Sequence, residues 1–363
     1  MSKLDLIIKD LQEVIGMQEL VEKINSNDEI SAYWGTAPTG KPHVGYLVPM
    51  IKIAHLLKAG CKVIILFADL HAFLDAMKSS FELLDYRTKY YEIIIKGLLE
   101  CLNVDISKLN FVKGSDYQLT KEYTLDVYKL ISKITVDAAQ KGGAEVIKQS
   151  SNPLLSGMIY PILQVLDEVY LKTDIQLGGI DQRKIFMMSR DHLHKIGYKS
   201  NIHLMNKMIP NLTGKNNDEK MSSSDINSKI DLLDSPKDIK KKINKAFLEP
   251  TNVDCPLFIF IKYVIFPIIE LKEEEYFIIN RDEKWGGIMK YNSFEVLINE
   301  YKEDKISPPD IKLGVSDYLI KLLEPLRLKC DNKEIKDIVK LGYFSFYTLE
   351  DLKCRFYSTK KNL

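Results

Sequence analysis

The chain has 363 residues, 45% apolar and 28% charged, which suits a globular protein large enough for two domains. Its 51 basic and 50 acidic residues leave a net charge of +1, so any nucleic-acid contact must come from local patches. Five cysteines without a close pair argue against a disulfide framework or a metal site. Asp5, Asp10, Glu13 and Glu19 argue against a secretory leader, and no apolar run approaches the roughly 18 residues of a membrane span. A soluble, cytoplasmic protein with no membrane partner is expected.

Residues 4–15 carry the apolar spacing of an amphipathic helix. Ser31–Gly35 reads as a buried strand leading into YWGTAPTGKPHVGY (Tyr33–Tyr46). A helix is predicted from about Pro42, with Val44, Leu47, Ile51 and Ala54 on its apolar face. Gly35, Thr36, Ala37 and Gly40 permit close approach to the backbone, and a helix mouth with His43 offers donors to an anion. That suits a phosphate site, although an ordinary α/β turn can look the same. Lys62–Asp69, KVIILFAD, reads as a buried parallel strand, so strand, helix and strand open a doubly wound sheet. Ligands sit at the carboxyl ends of such strands, where Asp69 is placed either to hold an ammonium group or to serve the loop.

A helix over about 80–102 and a strand at Leu109–Lys113 follow. Residues 119–151 are polar and helical, interrupted at Gly142-Gly143, and read as an insertion between sheet halves. On a helix over 160–172, Tyr160, Gln164 and Asp167 share one face beside the stripe Ile159, Leu163, Leu166 and Tyr170. That face is either a pocket wall or a solvated surface. DIQLGGIDQRK (Asp174–Lys184) reads as a strand ending at Gly178-Gly179, then a helix from about Asp181, itself a candidate cap. Ile202–Met205 completes the sheet.

Residues of about 213–226 are too polar to pack and predict a mobile loop ending in Lys220-Met221-Ser222-Ser223-Ser224. One lysine beside three hydroxyls suits a polyphosphate, while solvated loops of this composition are common. Beyond residue 230 the pattern becomes helical, over 236–248, 254–266, 294–303 and 310–326. Lys237, Lys240, Lys241, Lys242 and Lys245 form either a solvated face or a phosphate-backbone contact. Trp285-Gly286-Gly287 leaves an aromatic ring in a loop, a surface for an unpaired base, and Asp310 is a candidate N-cap.

His43-Val44-Gly45-Tyr46 and Lys220–Ser224 resemble the HxGH and KMSKS signatures of class I aminoacyl-tRNA synthetases. With ILFADLHAFLD, KGSDYQL, YPILQVLDEVYL, GGIDQRK and RDEKWGG in family order, the chain resembles tyrosyl-tRNA synthetases of the archaeal and eukaryotic cytoplasmic kind. The resemblance implies an α/β fold: a Rossmann-type, doubly wound parallel sheet in a catalytic domain over 1–230. A helical insertion of about 114–158 would carry much of a homodimer interface, and an all-helical anticodon-binding domain would fill 231–363.

The implied reaction activates L-tyrosine with ATP and Mg²⁺ to tyrosyl-adenylate and pyrophosphate, then passes tyrosine to the 3′ end of tRNA(Tyr). The resemblance puts Tyr33, Asp69, Tyr160, Gln164, Asp167 and Gln182 around tyrosine, with Tyr33 and Asp167 on its phenol oxygen. It puts Gly35, Thr36, Pro38, Thr39, His43, Gly45, Gly179, Asp181, Lys220 and Met221 on ATP, with His43, Lys220, Ser222 and Ser223 at the reacting phosphates. Arg183 would meet the tRNA acceptor stem, and Trp285 and Asp310 the first anticodon base. Tyr46 replaces the second histidine of HxGH. Ser223 replaces the second lysine of KMSKS, and a bound K⁺ is expected to offset that missing charge.

A carboxylate attacking the α-phosphorus is already a nucleophile, so positioning and charge stabilisation suffice for catalysis. Buried partners of a phenol OH are left unpaired by phenylalanine. Tyrosyl-tRNA synthetases are themselves the known example of this asymmetry, at about 10⁵-fold without editing. The nearest alternative is a tryptophanyl-tRNA synthetase, followed by a small-molecule nucleotidyltransferase and a catalytically dead RNA-binding relative. Tyr33 with Asp167 favours a phenol over an indole, and the helical C-terminal third argues against the nucleotidyltransferase.

Overall fold

The computed structural model describes residues 1–75, 79–146, 153–212 and 229–343. Helix α1 (Lys3–Ile8) opens with a reciprocal cap between Ser2 and Asp5. The helix predicted over 4–15 stops there, because Asp10 adopts φ 55°, in the left-handed region that ends a helix. The chain continues instead as strand β1 (Leu11–Ile15), followed by α2 (Met17–Asn25) and β2 (Ser31–Thr36).

The helix expected from Pro42 also begins late. Val44 N donates to Ile230 O at 3.0 Å and His43 pairs with Asp231 in an isolated bridge, which keeps the chain extended at that point. A 3-10 turn (Val44–Tyr46) then leads into α3 (Leu47–Lys58). Next come β3 (Lys62–Phe67), α4 (Asp69–Leu74), α5 (Phe81–Cys101) and β4 (Leu109–Lys113).

The insertion consists of α6 (Ser115–Gln118), α7 (Lys121–Ile131) and α8 (Val136–Gly143), and returns through α9 (Leu155–Tyr170). Strand β5 (Ile175–Gly179) passes through a 3-10 turn (Ile180–Gln182) into α10 (Arg183–His192), so that helix starts two residues later than expected. Strand β6 (Ile202–Asn206) completes a sheet of order β1-β6-β5-β2-β3-β4. It is parallel except for β1, which runs antiparallel to β6. The order reverses between β2 and β5, so their carboxyl ends frame the crevice where doubly wound sheets bind ligands.

The C-terminal part is mostly helical: α11 (Pro236–Asn244), α12 (Pro256–Phe260), α13 (Phe266–Leu271), α14 (Phe294–Lys302), α15 (Pro308–Cys330) and α16 (Lys333–Tyr343). A π turn over Ile261–Ile265 joins α12 to α13. The all-helical expectation misses one feature, an antiparallel ribbon of β7 (Phe277–Ile279) and β8 (Met289–Tyr291). Gly314 lets α15 lie against that ribbon, since a Cβ there would sit 2.8 Å from both Phe277 and Ile279.

One apolar core joins the sheet to these helices, with Ile53, Ile95, Leu257, Leu326 and Ile335 in a single cluster that crosses residue 230. Burying each such side chain contributes about 1.5–3 kcal/mol. A second cluster (Tyr123, Leu130, Leu163, Leu166, Ile185) fastens the insertion to α9 and α10. Both clusters border the same crevice.

Candidate active site

A cavity of about 1020 Å³ occupies that crevice. Tyr33, Tyr160, Gln164, Asp167 and Gln182 line it, as do Gly35, Thr36, Thr39, His43, Gly45, Gly179 and Asp181. The helical spacing of Tyr160, Gln164 and Asp167 on α9 brings them to one wall, and Gln164 Nε2 donates to Gln182 Oε1 at 2.9 Å.

Asp167 is 1% exposed, and its Oδ1 accepts from Tyr117 Oη (2.8 Å), Gln118 Nε2 (2.7 Å) and Tyr123 Oη (3.0 Å). Burial pushes its carboxyl up to about 7, against the pull of those three donors. Oδ2 accepts from no described donor, and its nearest recorded neighbour is His71 Nε2 at 3.8 Å. Burial pulls the His71 imidazole down to about 4, so the ring is neutral, standing edge-on to Tyr160 at 4.6 Å. Tyr33 Oη is buried without a partner, and burial raises its phenol well above the usual range. Tyr33 Oη and Asp167 Oδ2 are therefore open on the cavity floor, where the His71 ring nitrogens and Gln176 Oε1 are also buried without a partner, a pattern that points to a ligand group.

At the glycine-rich end, His43 caps the 3-10 turn by accepting from Gly45 N at Nδ1 (3.2 Å). That bond requires the neutral ring to carry its proton on Nε2, a donor for the cavity. Tyr46 Oη bonds Thr36 Oγ1 at 3.1 Å and Tyr91 Oη at 3.3 Å, and its ring meets Trp34 and His43 edge-on. The residue that departs from HxGH is thus part of the wall.

Two expected site residues are not brought to the cavity. Asp69 heads α4 and is spent on structure: its Oδ1 accepts from Leu70 N (3.0 Å) and Ser115 N (2.9 Å), its Oδ2 from Ser115 Oγ (2.5 Å). Its carboxylate ties α4 to the insertion and does not line the cavity. Pro38 is buried and does not line the cavity. Lys220, Met221, Ser222 and Ser223 lie outside the described residues.

The three residues assigned to RNA lie away from the cavity. Arg183 is bound through Nε to Glu13 Oε2 at 2.8 Å. Trp285 is 70% exposed at the tip of the ribbon. Asp310 is not the N-cap of α15; Ser307 is, with Asp310 as its partner in a capping box. Arg281 connects this region, lying 3.6 Å from Asp310 Oδ2 and donating to Gly287 O at 3.2 Å.

The family model "tRNA synthetases class I (W and Y)" matches residues 25–324. Tyrosine–tRNA ligase, cytoplasmic, of Saccharomyces cerevisiae is 51% identical over 93% of this chain and 86% of its own length. The chain belongs to the tyrosine–tRNA ligase family. The enzyme of the same name from Gallus gallus is 53% identical over 94% of this chain, which spans only 63% of that protein. Among solved structures, the tyrosyl-tRNA synthetase of Archaeoglobus fulgidus complexed with L-tyrosine superposes with TM-score 0.81 at 36% identity. It covers 90% of this chain and 98% of its own.

Sequence reasoning overlooked several residues that line the cavity or hold Asp167. Tyr117 and Gln118 stand inside KGSDYQL, and Tyr123 begins what reads only as an insertion helix. Gln176 lines the cavity with an unpartnered Oε1; its signal was a polar residue inside a buried parallel strand. His71 follows Asp69 by two residues and lines the cavity, which Asp69 does not.

Proposed function

We propose that this protein is a tyrosine–tRNA ligase working in the cytoplasm, the location in the names of its relatives. The observation that carries this reading is the open pair on the floor, Tyr33 Oη and Asp167 Oδ2. A substrate phenol OH donates to the carboxylate and accepts from Tyr33, satisfying both atoms; an indole N–H can only donate. Tyr160, Gln164 and Gln182 take the substrate ammonium, and His43 with the backbone near Gly35, Thr36, Thr39 and Gly45 takes the ATP phosphates. Gly179 and Asp181 take the adenosine.

The substrate carboxylate forms a bond to the α-phosphorus, the bond to the β-phosphate oxygen breaks, and pyrophosphate leaves. A ribose hydroxyl at the tRNA 3′ end then attacks the acyl carbon, and AMP leaves. ATP enters as its Mg²⁺ complex. Lys220, Met221, Ser222 and Ser223 act on the leaving pyrophosphate, with K⁺ offsetting the charge absent at Ser223. Adenylate formation that is indifferent to K⁺ would remove that last element.

Arg183 meets the acceptor stem, and Trp285 with Asp310 the anticodon. Two copies pair through the outward face of α7, where Leu125, Tyr128 and Ile131 are exposed at helical spacing. The test is ATP–pyrophosphate exchange with each of the twenty amino acids. Exchange with tyrosine alone is expected; exchange with tryptophan instead moves the reading to the sister enzyme, and folded protein inactive with all twenty overturns it.

A further inference from the structure

Three consecutive carbonyls of the loop between β2 and α3 are held by side chains from outside it. Arg87, on α5, donates from Nη1 to Thr39 O at 2.7 Å. Tyr91, one turn along α5, donates to Gly40 O at 2.5 Å, and Tyr343 Oη at the end of α16 approaches the same oxygen at 3.5 Å. Lys229 Nζ stands 3.5 Å from Lys41 O. Among described residues, the loop's own backbone adds short-range bonds from Thr39 N to Ala37 O and from Tyr46 N to His43 O, both at 2.8 Å. Neither holds the carbonyls of residues 39–41, which these anchors fix.

Arg87 is the anchor that reaches furthest. It is buried, donates Nε to Gly342 O at 2.8 Å, bonds Ser79 Oγ, and places its guanidinium 5.1 Å from the centre of the Tyr343 ring. One planar fork thus joins the carboxyl end of α16 to the glycine-rich loop. An arginine suits this place because its donors are fixed at set angles. Lysine has one donor head and cannot span both carbonyls.

In a planar trans peptide the N–H points opposite to the C=O. Holding the oxygens of Thr39 and Gly40 turns the N–H groups of Gly40 and Lys41 away from the anchors. Thr39 itself lines the cavity. A polyphosphate bound there gains from N–H groups already oriented, since none must be reorganised on binding.

We infer that Arg87 is a positioning residue for the ATP phosphates, and that α16, through Gly342 and Tyr343, holds it in place so that this helix sets the affinity for ATP. This rests on the reading of the cavity as an ATP and tyrosine site. It gives α16 a role in adenylate formation although none of its residues lines the cavity.

The test measures Mg²⁺·ATP and L-tyrosine binding by calorimetry on the full chain, as wild type, Arg87→Lys and Tyr343→Phe, with thermal unfolding alongside. Arg87→Lys is expected to weaken ATP binding about fivefold or more and to leave tyrosine binding within about twofold. Tyr343→Phe removes one oxygen and is expected to weaken ATP about twofold. The KM for ATP in pyrophosphate exchange should follow the same order, with the KM for tyrosine unmoved. Equal losses for both ligands, or unchanged ATP affinity in both variants, would overturn the inference. Should Arg87→Lys fail to fold, Tyr343→Phe decides. A wild type that binds ATP but exchanges with no amino acid defeats the proposed function, leaving the inference to the ATP affinities. A wild type that does not bind ATP defeats both.

Discussion

The two ends of the cavity are built on different plans. On the floor, recognition lies in side chains: Asp167 is fixed by three donors from the insertion and faces a neutral His71, and Tyr33 Oη is buried without a partner. At the glycine-rich end it lies in backbone, with small residues shaped by neighbours that bond their carbonyls from behind. A floor of this kind reads chemical identity and fails when one atom is removed. A backbone rim reads charge and shape, and degrades by degrees as its supports are loosened.

The largest expected effect breaks the floor. Asp167→Ala removes the acceptor and leaves Tyr117, Gln118 and Tyr123 without their shared partner. A loss of about 3–4 kcal/mol, or roughly 10²–10³-fold in kcat/KM for tyrosine, is expected in pyrophosphate exchange. The KM for ATP should stay within about twofold. A comparable loss in ATP affinity would mean that the two ends are not separable.

A second prediction uses α7, which carries Tyr123 inward and Tyr128 outward. Tyr128→Glu is expected to weaken self-association by about 100-fold, visible in sedimentation velocity as a shift to monomer. Because the same helix holds Asp167, the monomer should bind tyrosine several-fold less tightly while its ATP affinity changes little. A variant that remains dimeric would exclude this face as the interface.

The third prediction follows from the carboxyl of Asp167, raised to about 7 by burial. Its value in the free folded protein lies above that of an exposed aspartate, so folding stability falls as the pH rises from about 4 to about 7, where the unfolded chain has lost a proton that the folded protein keeps, and levels off above 7. Tyrosine binding favours the ionised form, which accepts the phenol OH. Affinity should therefore rise with pH through 7 and level off above it, falling about five- to tenfold between pH 8 and pH 6. His71 is neutral across this window, so it does not add a second step. Asp167→Asn should flatten the profile, and a profile unchanged in that variant would assign the titration to another group.

Much of this arrangement was legible in the sequence. Short, largely apolar runs bounded by glycine and polar residues read as strands, so β2, β3, β4, β5 and β6 fall within a residue or two of their expected bounds. Tyr160, Gln164 and Asp167 were legible because a helix converts spacing directly into a shared face. Asp69 misled because position at a strand end does not tell where a carboxylate turns, and Ser115 claims it from another element. The donors to Asp167 come from 44 to 50 residues away, where no local period connects them to the floor. The β7–β8 ribbon was hidden because three-residue strands are too short to show alternation.

The smallest expected effect concerns the rim, at the residue that departs from HxGH. Tyr46 Oη lies between Thr36 Oγ1 and Tyr91 Oη, and Tyr91 in turn donates to Gly40 O. Tyr46→Phe keeps the ring, and so its edge-on contacts with Trp34 and His43, while removing the hydroxyl from that chain. Tyr91 retains its bond to Gly40 O, so the loop loses one support of several. About 1 kcal/mol is at stake, which predicts a rise of roughly three- to fivefold in the KM for ATP and no change for tyrosine. If Tyr46 instead donated directly to the phosphates during reaction, the variant would lose kcat by tenfold or more at saturating ATP. Steady-state exchange measured across ATP concentrations separates the two, because a support alters KM and a transition-state donor alters kcat.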